Sequence, residues 1–365
     1  SGLARCWFSA TSALSTGLSL ALLTLLWAGA ELVLEGSPLF WIGVGGSVLP
    51  LDRPLAGLAR WLGSGGLALL QLLWGWGLWQ ISRRGWQGWP LWLTSVVLTH
   101  ALGALLLTPP AAIGELRLAA WQPAVPTREK FTPERQQRLR SQLLGALQLA
   151  DALGGQALVA PEGTLPSHWR APANGVPLPL IGGGFRWVRG QQRSSLLLAL
   201  PGQLRPEVLL DKHRLVPLGE WLPPLPAGFA HGLSAVGGLE AGPPSRLAPT
   251  AFGPAGVAIC YELSNGRALA KAAAEGADWL LSIANLDPYP ELLQRQFLAL
   301  AQLRAIESGR DLLSVGNTGP TAVVRADGVI QRLLPPNQEG VALAQLQRRT
   351  QRSVYGRLVG GLSLR

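Results

Sequence analysis

Methionine is absent from this chain of 365 residues, cysteine occurs only twice, and charged residues make up only 14% of the sequence. Because the first residue is Ser1 and no methionine follows, we expect a fragment or processed form of a longer protein. So small a charged fraction, beside 48% hydrophobic residues, is not the composition of one small soluble domain. It favours a membrane part joined to a globular domain.

Recognised metal, cofactor and nucleic-acid motifs are missing as well. The four histidines are His100, His168, His213 and His231. They are dispersed without the spacing of metal ligands, and the glycine-rich residues 43–48 break the dinucleotide-binding pattern, so we expect no metal and no cofactor. The net charge of +10 would suit nucleic acid, but the basic residues are scattered and no binding motif accompanies them, which makes anionic phospholipid the better partner.

Three apolar runs near the N-terminus are long enough to cross a bilayer. They are residues 11–33, 65–81 and 89–108. A buried core helix would explain any one of them, but a core seldom needs three such runs within about a hundred residues. The adjacent Arg83 and Arg84 favour the cytoplasmic side for the loop between the second and third runs. We therefore predict that everything after Pro109 lies outside the cytoplasmic membrane.

A short amphipathic segment is predicted between the first two runs. Asp52 can cap a helix on which Leu55, Leu58, Ala59 and Leu62 share one face. That face suits the membrane interface, where it would admit lipid, but it would equally well seal the helical bundle.

From Leu116 the pattern changes to short apolar strands separated by helices, which predicts a mixed α/β domain. The predicted strands are residues 116–120, 157–160, 195–200, 207–212, 257–260, 279–284, 312–315 and 321–325. The predicted helices are residues 133–153, 265–275 and 291–308. Residues 182–184 and 223–249 are rich in glycine and proline and are predicted as loops, the second long enough to be a lid or a mobile segment.

The apolar run 256–259 ends at the thiol of Cys260 and is followed by Glu262. Between a buried strand and a helix, a nucleophile projects from the end of the sheet, and the first N–H groups of the helix can stabilise an oxyanion. A lone cysteine is more often an inert buried residue. The predicted topology, however, places Cys6 and Cys260 on opposite sides of the membrane, and an unpaired thiol in an oxidising compartment favours a reactive role.

Two further strand ends carry the groups that a cysteine nucleophile needs. One ends at Glu162, and the other is followed by Lys212 and Glu220. A carboxylate can take the thiol proton, a cation can stabilise the tetrahedral oxyanion, and a lysine beside the thiol also favours the thiolate.

These residues resemble those of a known family. The patterns Pro-Glu-Gly at 161–163, Asp-Lys-x-x-Leu-Val-Pro-x-Gly-Glu at 211–220 and Cys-Tyr-Glu at 260–262 are similar to those of the nitrilase, or carbon–nitrogen hydrolase, superfamily, and in particular of its membrane branch, the apolipoprotein N-acyltransferases. The lysine pattern is the most specific of the three. The likeness covers roughly residues 37–355 and includes the stretches 304–310 and 317–319.

The resemblance implies N-terminal transmembrane helices followed by an α-β-β-α sandwich. Its implied domains are a transmembrane region at 1–110, a nitrilase-like catalytic domain at 111–355, and a short tail at 356–365 in place of the final span that the family usually has. The implied catalytic residues are Glu162, Lys212 and Cys260. The implied supporting residues are Glu220, Tyr261 and Glu262, with the Tyr261 N–H as an oxyanion donor.

The implied activity is a two-step acyl transfer at the outer face of the bacterial inner membrane. Cys260 takes an acyl chain from a phospholipid as a thioester, and the N-terminal amine of a diacylglyceryl-cysteine lipoprotein then receives it, with ping-pong kinetics. The segment 282–289 departs from the family's Ser-Asn-Asp-x-Trp pattern, so we expect an altered wall facing the substrate.

The sequence leaves two alternative functions open. A membrane-tethered amidase or hydrolase acting on a carbon–nitrogen bond would share the three catalytic residues, but a soluble substrate gives no reason for the fused membrane segment. A catalytically silent membrane or assembly protein is the second alternative. Such a protein would not need Glu162, Lys212 and Cys260 together.

Overall fold

The computed structural model of the chain describes residues 13–361, apart from 131, 174 and 222–237. Cys6, His231 and much of the predicted loop at 223–249 lie outside the described residues. The N-terminal helices are α1 (Ala13–Gly36), α2 (Gly43–Gly46), α3 (Arg53–Ala56), α4 (Ala59–Arg84) and α5 (Trp89–Leu106), with a 3₁₀ turn at Trp86–Gly88.

Two stretches of the described chain are long and apolar enough to cross a membrane, Gly17–Gly36 and Trp86–Leu106. They correspond to the first and third predicted spans. The second predicted span lies within α4, which does not pass the same test and whose backbone leaves helical geometry at Gly63. Two apolar stretches therefore coincide with the first and third predicted spans, and all three spans stay predictions.

The amphipathic segment between the spans is present, but most of its apolar face is covered by protein. Asp52 caps α3, because its Oδ1 accepts the N–H of Leu55 at 3.0 Å. Leu55, Leu58 and Ala59 are buried in one apolar cluster with Leu303 of the globular domain. For these three residues the face is covered by protein, which favours the interpretation that it seals the bundle, whereas the fourth residue of the face, Leu62, is exposed.

The globular domain contains two six-stranded sheets. The first has the order β12-β1-β2-β3-β4-β5 and the second β11-β10-β9-β8-β7-β6. The strands of the first sheet are β1 (Gly114–Gln122), β2 (Ala157–Leu165), β3 (Leu180–Val188), β4 (Gln191–Ala199), β5 (Glu207–Asp211) and β12 (Gly340–Arg348). Those of the second are β6 (Leu247–Ala248), β7 (Ala255–Ile259), β8 (Trp279–Ala284), β9 (Leu312–Gly316), β10 (Thr321–Val324) and β11 (Ile330–Leu334).

Helices cover the outer faces of both sheets. On the first sheet lies α7 (Pro133–Ala152), preceded by the short α6 (Thr127–Lys130). On the second sheet lie α8 (Gly266–Ala274) and α9 (Glu291–Ser308), and α10 (Val354–Gly361) packs against α8. The period of two along a strand explains the layers. In β1, Leu118 belongs to the core between the sheets, whereas its neighbour Ala119 packs with Leu143 of α7. Ala258 of β7 likewise packs with Leu300 of α9, so the domain has the predicted α-β-β-α layers.

Residues 182–184, predicted as a loop, form part of β3 and pair with β4 over their whole length. Their lack of side chains is needed because β3 passes close to β2. A Cβ at Gly183 would lie 2.5 Å from the Cα of Glu162. Glycine in a strand often marks such a close backbone approach, and the composition of the segment alone does not reveal it.

Candidate active site

Cys260 begins a one-turn 3₁₀ helix directly after β7, as the sequence predicted. Its φ of +53° lies in the left-handed region, which is uncommon for a residue with a side chain and often marks a functional site. The Glu162 carboxylate is close enough to the thiol to raise its pKa. After the turn, α8 is capped by Asn265, whose Oδ1 accepts the N–H of Ala268 at 3.2 Å.

Lys212 lies wholly buried between two carboxylates. Its Nζ donates to Glu162 Oε1 at 2.8 Å and to Glu220 Oε1 at 2.6 Å. A second hydrogen bond fixes Glu220, because its Oε2 accepts the N–H of Val216 at 2.9 Å. A buried ammonium group needs such partners, since desolvation without them is costly. The structure thus brings the three predicted catalytic side chains and Glu220 together.

Burial and neighbouring charges together set the protonation of this cluster. Burial raises the pKa of the Cys260 thiol well above its ordinary value, and the negative charge of Glu162 raises it further. Lys212 acts in the opposite direction, as expected from the sequence, but it does not prevail. For Lys212 itself burial favours the neutral amine, yet Glu162 and Glu220 raise its pKa well above the ordinary value. The resting site therefore holds a neutral thiol beside a charged lysine.

Glu262 joins the cysteine turn to the segment that carries Lys212. Its carboxylate accepts the N–H groups of His213 at 2.7 Å, Arg214 at 3.1 Å and Ile259 at 2.9 Å. Arg246 Nη1 donates to both of its oxygens at 2.8 Å. These contacts support the implied role of Glu262 in orienting its neighbours, which stays a prediction. The partner Arg246 could not be found from the sequence, because no local pattern ties it to this site.

Tyr261 anchors the segment that follows α1. Its hydroxyl donates to the Pro38 carbonyl at 2.9 Å, and its ring lies 5.2 Å from that of Phe40. The guanidinium of Arg214 stands 5.1 Å above the same ring. The side chain is therefore structural, and the role of its N–H toward an oxyanion stays a prediction.

The segment that departs from the family pattern lies against the Glu162 carboxylate. Asn285 donates its N–H to Glu162 Oε2 at 3.3 Å, and its side-chain amide donates to Thr127 Oγ1 at 2.7 Å. Asn317 Nδ2 in turn donates to Asn285 Oδ1 at 2.7 Å. Asp287 Oδ2 accepts the Thr127 N–H at 2.7 Å. These contacts position Glu162, a role that the sequence analysis missed.

Comparison with known proteins connects this geometry to a family. Residues 192–355 match the carbon-nitrogen hydrolase family. The chain is 69% identical over 344 residues to the apolipoprotein N-acyltransferase of Parasynechococcus marenigrum (strain WH8102), covering 94% of this chain and 74% of that protein. It is 57% identical over 331 residues to the protein of that name from Prochlorococcus marinus (strain MIT 9313), covering 89% and 66%. Among solved structures, Saccharomyces cerevisiae Nit3, of branch 10 of the nitrilase superfamily, is 15% identical, covers 69% of this chain and 96% of its own, and has a TM-score of 0.47.

Proposed function

The chain belongs to the apolipoprotein N-acyltransferase family, and on that premise we propose that Cys260 carries an acyl chain from a phospholipid to the N-terminal amine of a diacylglyceryl-cysteine lipoprotein. The observation that carries this assignment is the buried cluster in which Glu162 accepts a hydrogen bond from the Lys212 ammonium at 2.8 Å and raises the pKa of the adjacent Cys260 thiol. A neutral thiol needs a base at the moment of attack, and the adjacent carboxylate is in place to act as one.

In the first step Glu162 accepts the thiol proton while the sulfur attacks the ester carbonyl of the phospholipid. The oxyanion that forms is stabilised by the Lys212 ammonium and the Tyr261 N–H. When the ester C–O bond breaks, the leaving alkoxide takes the proton from Glu162 and departs as lysophospholipid. The products of this step are an acyl thioester on Cys260 and a Glu162 that is again ionised.

In the second step the lipoprotein amine attacks the thioester. Glu162 takes a proton from the attacking nitrogen, the C–S bond breaks, and the departing sulfur recovers the proton as a thiol. Glu220 supports both steps, because its 2.6 Å contact balances the charge of Lys212 whenever Glu162 is protonated. Without Glu220 the buried ammonium would lose its counter-charge at that moment.

We place the enzyme in the bacterial cytoplasmic membrane, spanning it more than once, with its catalytic domain outside. The two apolar stretches support this location, because only 17% and 6% of their residues are buried against protein. A core helix would be covered on most sides, whereas an exposed apolar helix of this length fits the hydrocarbon layer. Arg83 and Arg84 favour the cytoplasmic side for the loop between α4 and α5.

The transfer is tested with a phospholipid labelled in its acyl chain and a diacylglyceryl-cysteine peptide. We expect the label in an amide at the peptide's N-terminus, and none on the same peptide acetylated beforehand. Release of the label as free fatty acid at the same rate with either peptide would contradict acyl transfer and favour a hydrolase.

A further inference from the structure

A cavity of about 410 Å³ lies where the end of α1 meets the globular domain. Gly36, the last residue of α1, lines one side of it, and Val359 of α10 lines another. The first turn of α8 contributes Arg267 and Ala268. Among the described residues, the lining includes Glu262, named above as a supporting residue, but not Glu162, Lys212 or Cys260 of the proposed catalytic triad.

The lining of this cavity is cationic. It includes four arginine or lysine side chains, namely Arg214, Arg246, Arg267 and Lys271. Its two carboxylates are Glu262, which is satisfied by Arg246 and backbone N–H groups, and Glu275, which lies 3.7 Å from Lys271. Four positive charges against two negative ones leave an excess of two, which favours an anionic ligand.

Two buried donors in the lining have no acceptor. The Nε groups of Arg214 and Arg246 are buried and lack a hydrogen-bond partner within the described part of the chain. Both side chains are more than nine-tenths buried, at 8% and 4% exposure. Leaving such donors unpaired is costly, and each can meet a ligand acceptor once its guanidinium turns toward the cavity. Arg267 is exposed and forms no ion pair with any other described residue, which leaves its guanidinium available as well.

Guanidinium groups recognise phosphate oxygens through paired N–H donors. Because α1 ends at Gly36, the cavity stands at the boundary of the proposed membrane span, where phospholipid head groups lie. We propose that this cavity binds the head-group phosphate of an anionic phospholipid. The bound molecule is a structural lipid and not the acyl donor. This inference rests on the proposed membrane location and is independent of the acyl-transfer chemistry.

The test uses the full chain in phosphatidylcholine nanodiscs that contain a minor fraction of phosphatidylglycerol. Native mass spectrometry of the released protein measures the retained lipid. We expect phosphatidylglycerol to be retained well above its share of the bilayer, both by the wild-type protein and by Cys260→Ala, which consumes no lipid. Arg267→Gln combined with Lys271→Gln should reduce that enrichment by about fivefold for each cation removed, because a basic residue near anionic lipid typically strengthens binding by about that factor.

The control combines Arg138→Gln with Arg332→Gln, which removes the same charge from exposed positions outside the cavity. An equal loss in this control, or full retention by the cavity variant, would overturn the proposal. Hydrogen exchange at the first amides of α8 separates lipid from soluble phosphate. It should slow when phosphatidylglycerol is present, and equal slowing by inorganic phosphate in pure phosphatidylcholine discs would refute a lipid site.

Discussion

At Cys260 the attraction of a nearby cation competes with burial, and burial prevails. Burial and the adjacent Glu162 carboxylate together hold the pKa of the Cys260 thiol well above its ordinary value, although Lys212 favours the thiolate. An enzyme that stored a thiolate would need no base at this position. Because this site stores a thiol, we propose that Glu162 removes the proton during attack.

Replacing Glu162 therefore has two effects of opposite sign. Glu162→Gln keeps the shape and removes the base, so acylation of Cys260 by phospholipid should fall about a hundredfold or more. The same change removes a negative charge that raises the pKa of Cys260, so the thiol should be alkylated faster by iodoacetamide at a fixed, mildly alkaline pH.

Thermal unfolding of the same preparation separates this account from damage to the fold, because an unfolded protein would also lose acylation and expose the buried thiol to iodoacetamide. Near-normal acylation by Glu162→Gln would show that another group, such as Glu220, is the base. The matched variant Glu220→Gln should retain more acylation than Glu162→Gln, because Glu220 balances the lysine and does not bond the thiol.

At the scale of the elements, β3 is a strand whose position depends on residues without side chains. Three glycines at 182–184 let β3 run beside β2 at the position of Glu162. The sequence places the same glycines in a loop, because a run of glycine usually marks a turn. The close approach depends on the pairing of β3 with β2, which no local sequence pattern predicts.

Gly183→Ala tests that approach. The added Cβ would lie 2.5 Å from the Glu162 Cα and 3.0 Å from Ile283 Cδ1, so the strands must separate. We expect a stability loss of about 1–3 kcal/mol, typical of overpacking, together with slower acylation because Glu162 moves. Gly145→Ala is the control, since it lies in α7 with nothing within 4 Å, and it should be neutral or slightly stabilising. Equal acylation by the two variants would contradict the role assigned to the close approach.

At the scale of the whole molecule, a buried ionic junction connects the N-terminal helices to the globular domain. Glu307 of α9 accepts the Ser64 N–H at 3.0 Å and the Arg304 Nη1 at 2.6 Å. Arg304 also lies 3.5 Å from Glu35 of α1. The chain leaves helical geometry at Gly63, just before the bonded Ser64, so the carboxylate pairs with an N–H that the break in α4 frees.

This junction makes stability depend on pH. Burial raises the pKa of Glu307 from 4.5 to about 7, although Arg304 opposes the shift. Between those values the folded protein binds the proton more tightly than the unfolded chain does, so stability should fall as pH rises through this window. Thermal unfolding in detergent measures the effect, and Glu307→Gln should flatten the slope. A slope that persists unchanged in that variant would assign the pH dependence to other groups.

The proposed topology is tested by labelling single cysteines introduced into a cysteine-free protein. Arg170→Cys, in the globular domain, should react with a membrane-impermeant maleimide added to intact spheroplasts. Gln87→Cys, in the loop between α4 and α5, should react only after the membrane is opened, because the neighbouring Arg83 and Arg84 favour the cytoplasm. The reverse pattern would place Cys260 inside and remove its access to exported lipoproteins.

The sequence predicted those parts of the molecule that depend on local pattern. Strand ends and the motifs around Glu162, Lys212 and Cys260 are local, and the structure brings all three side chains together. The contact from Asn285 to Glu162 spans 123 positions, and no periodicity or spacing predicts such a pair. The sequence also does not predict that the globular domain covers the apolar residues near Asp52, whose pattern by itself suits the membrane interface.

The central claim is that Cys260 carries the acyl chain as a thioester, and trapping that intermediate tests it most directly. Membrane-embedded protein is incubated with phospholipid labelled in the acyl chain, without an acceptor, and then digested and treated with neutral hydroxylamine. We predict label on the peptide that contains Cys260, lost on hydroxylamine treatment and absent from Cys260→Ala, with little turnover left in Cys260→Ser. Label that persists on the alanine variant, or that resists hydroxylamine, would contradict the assignment.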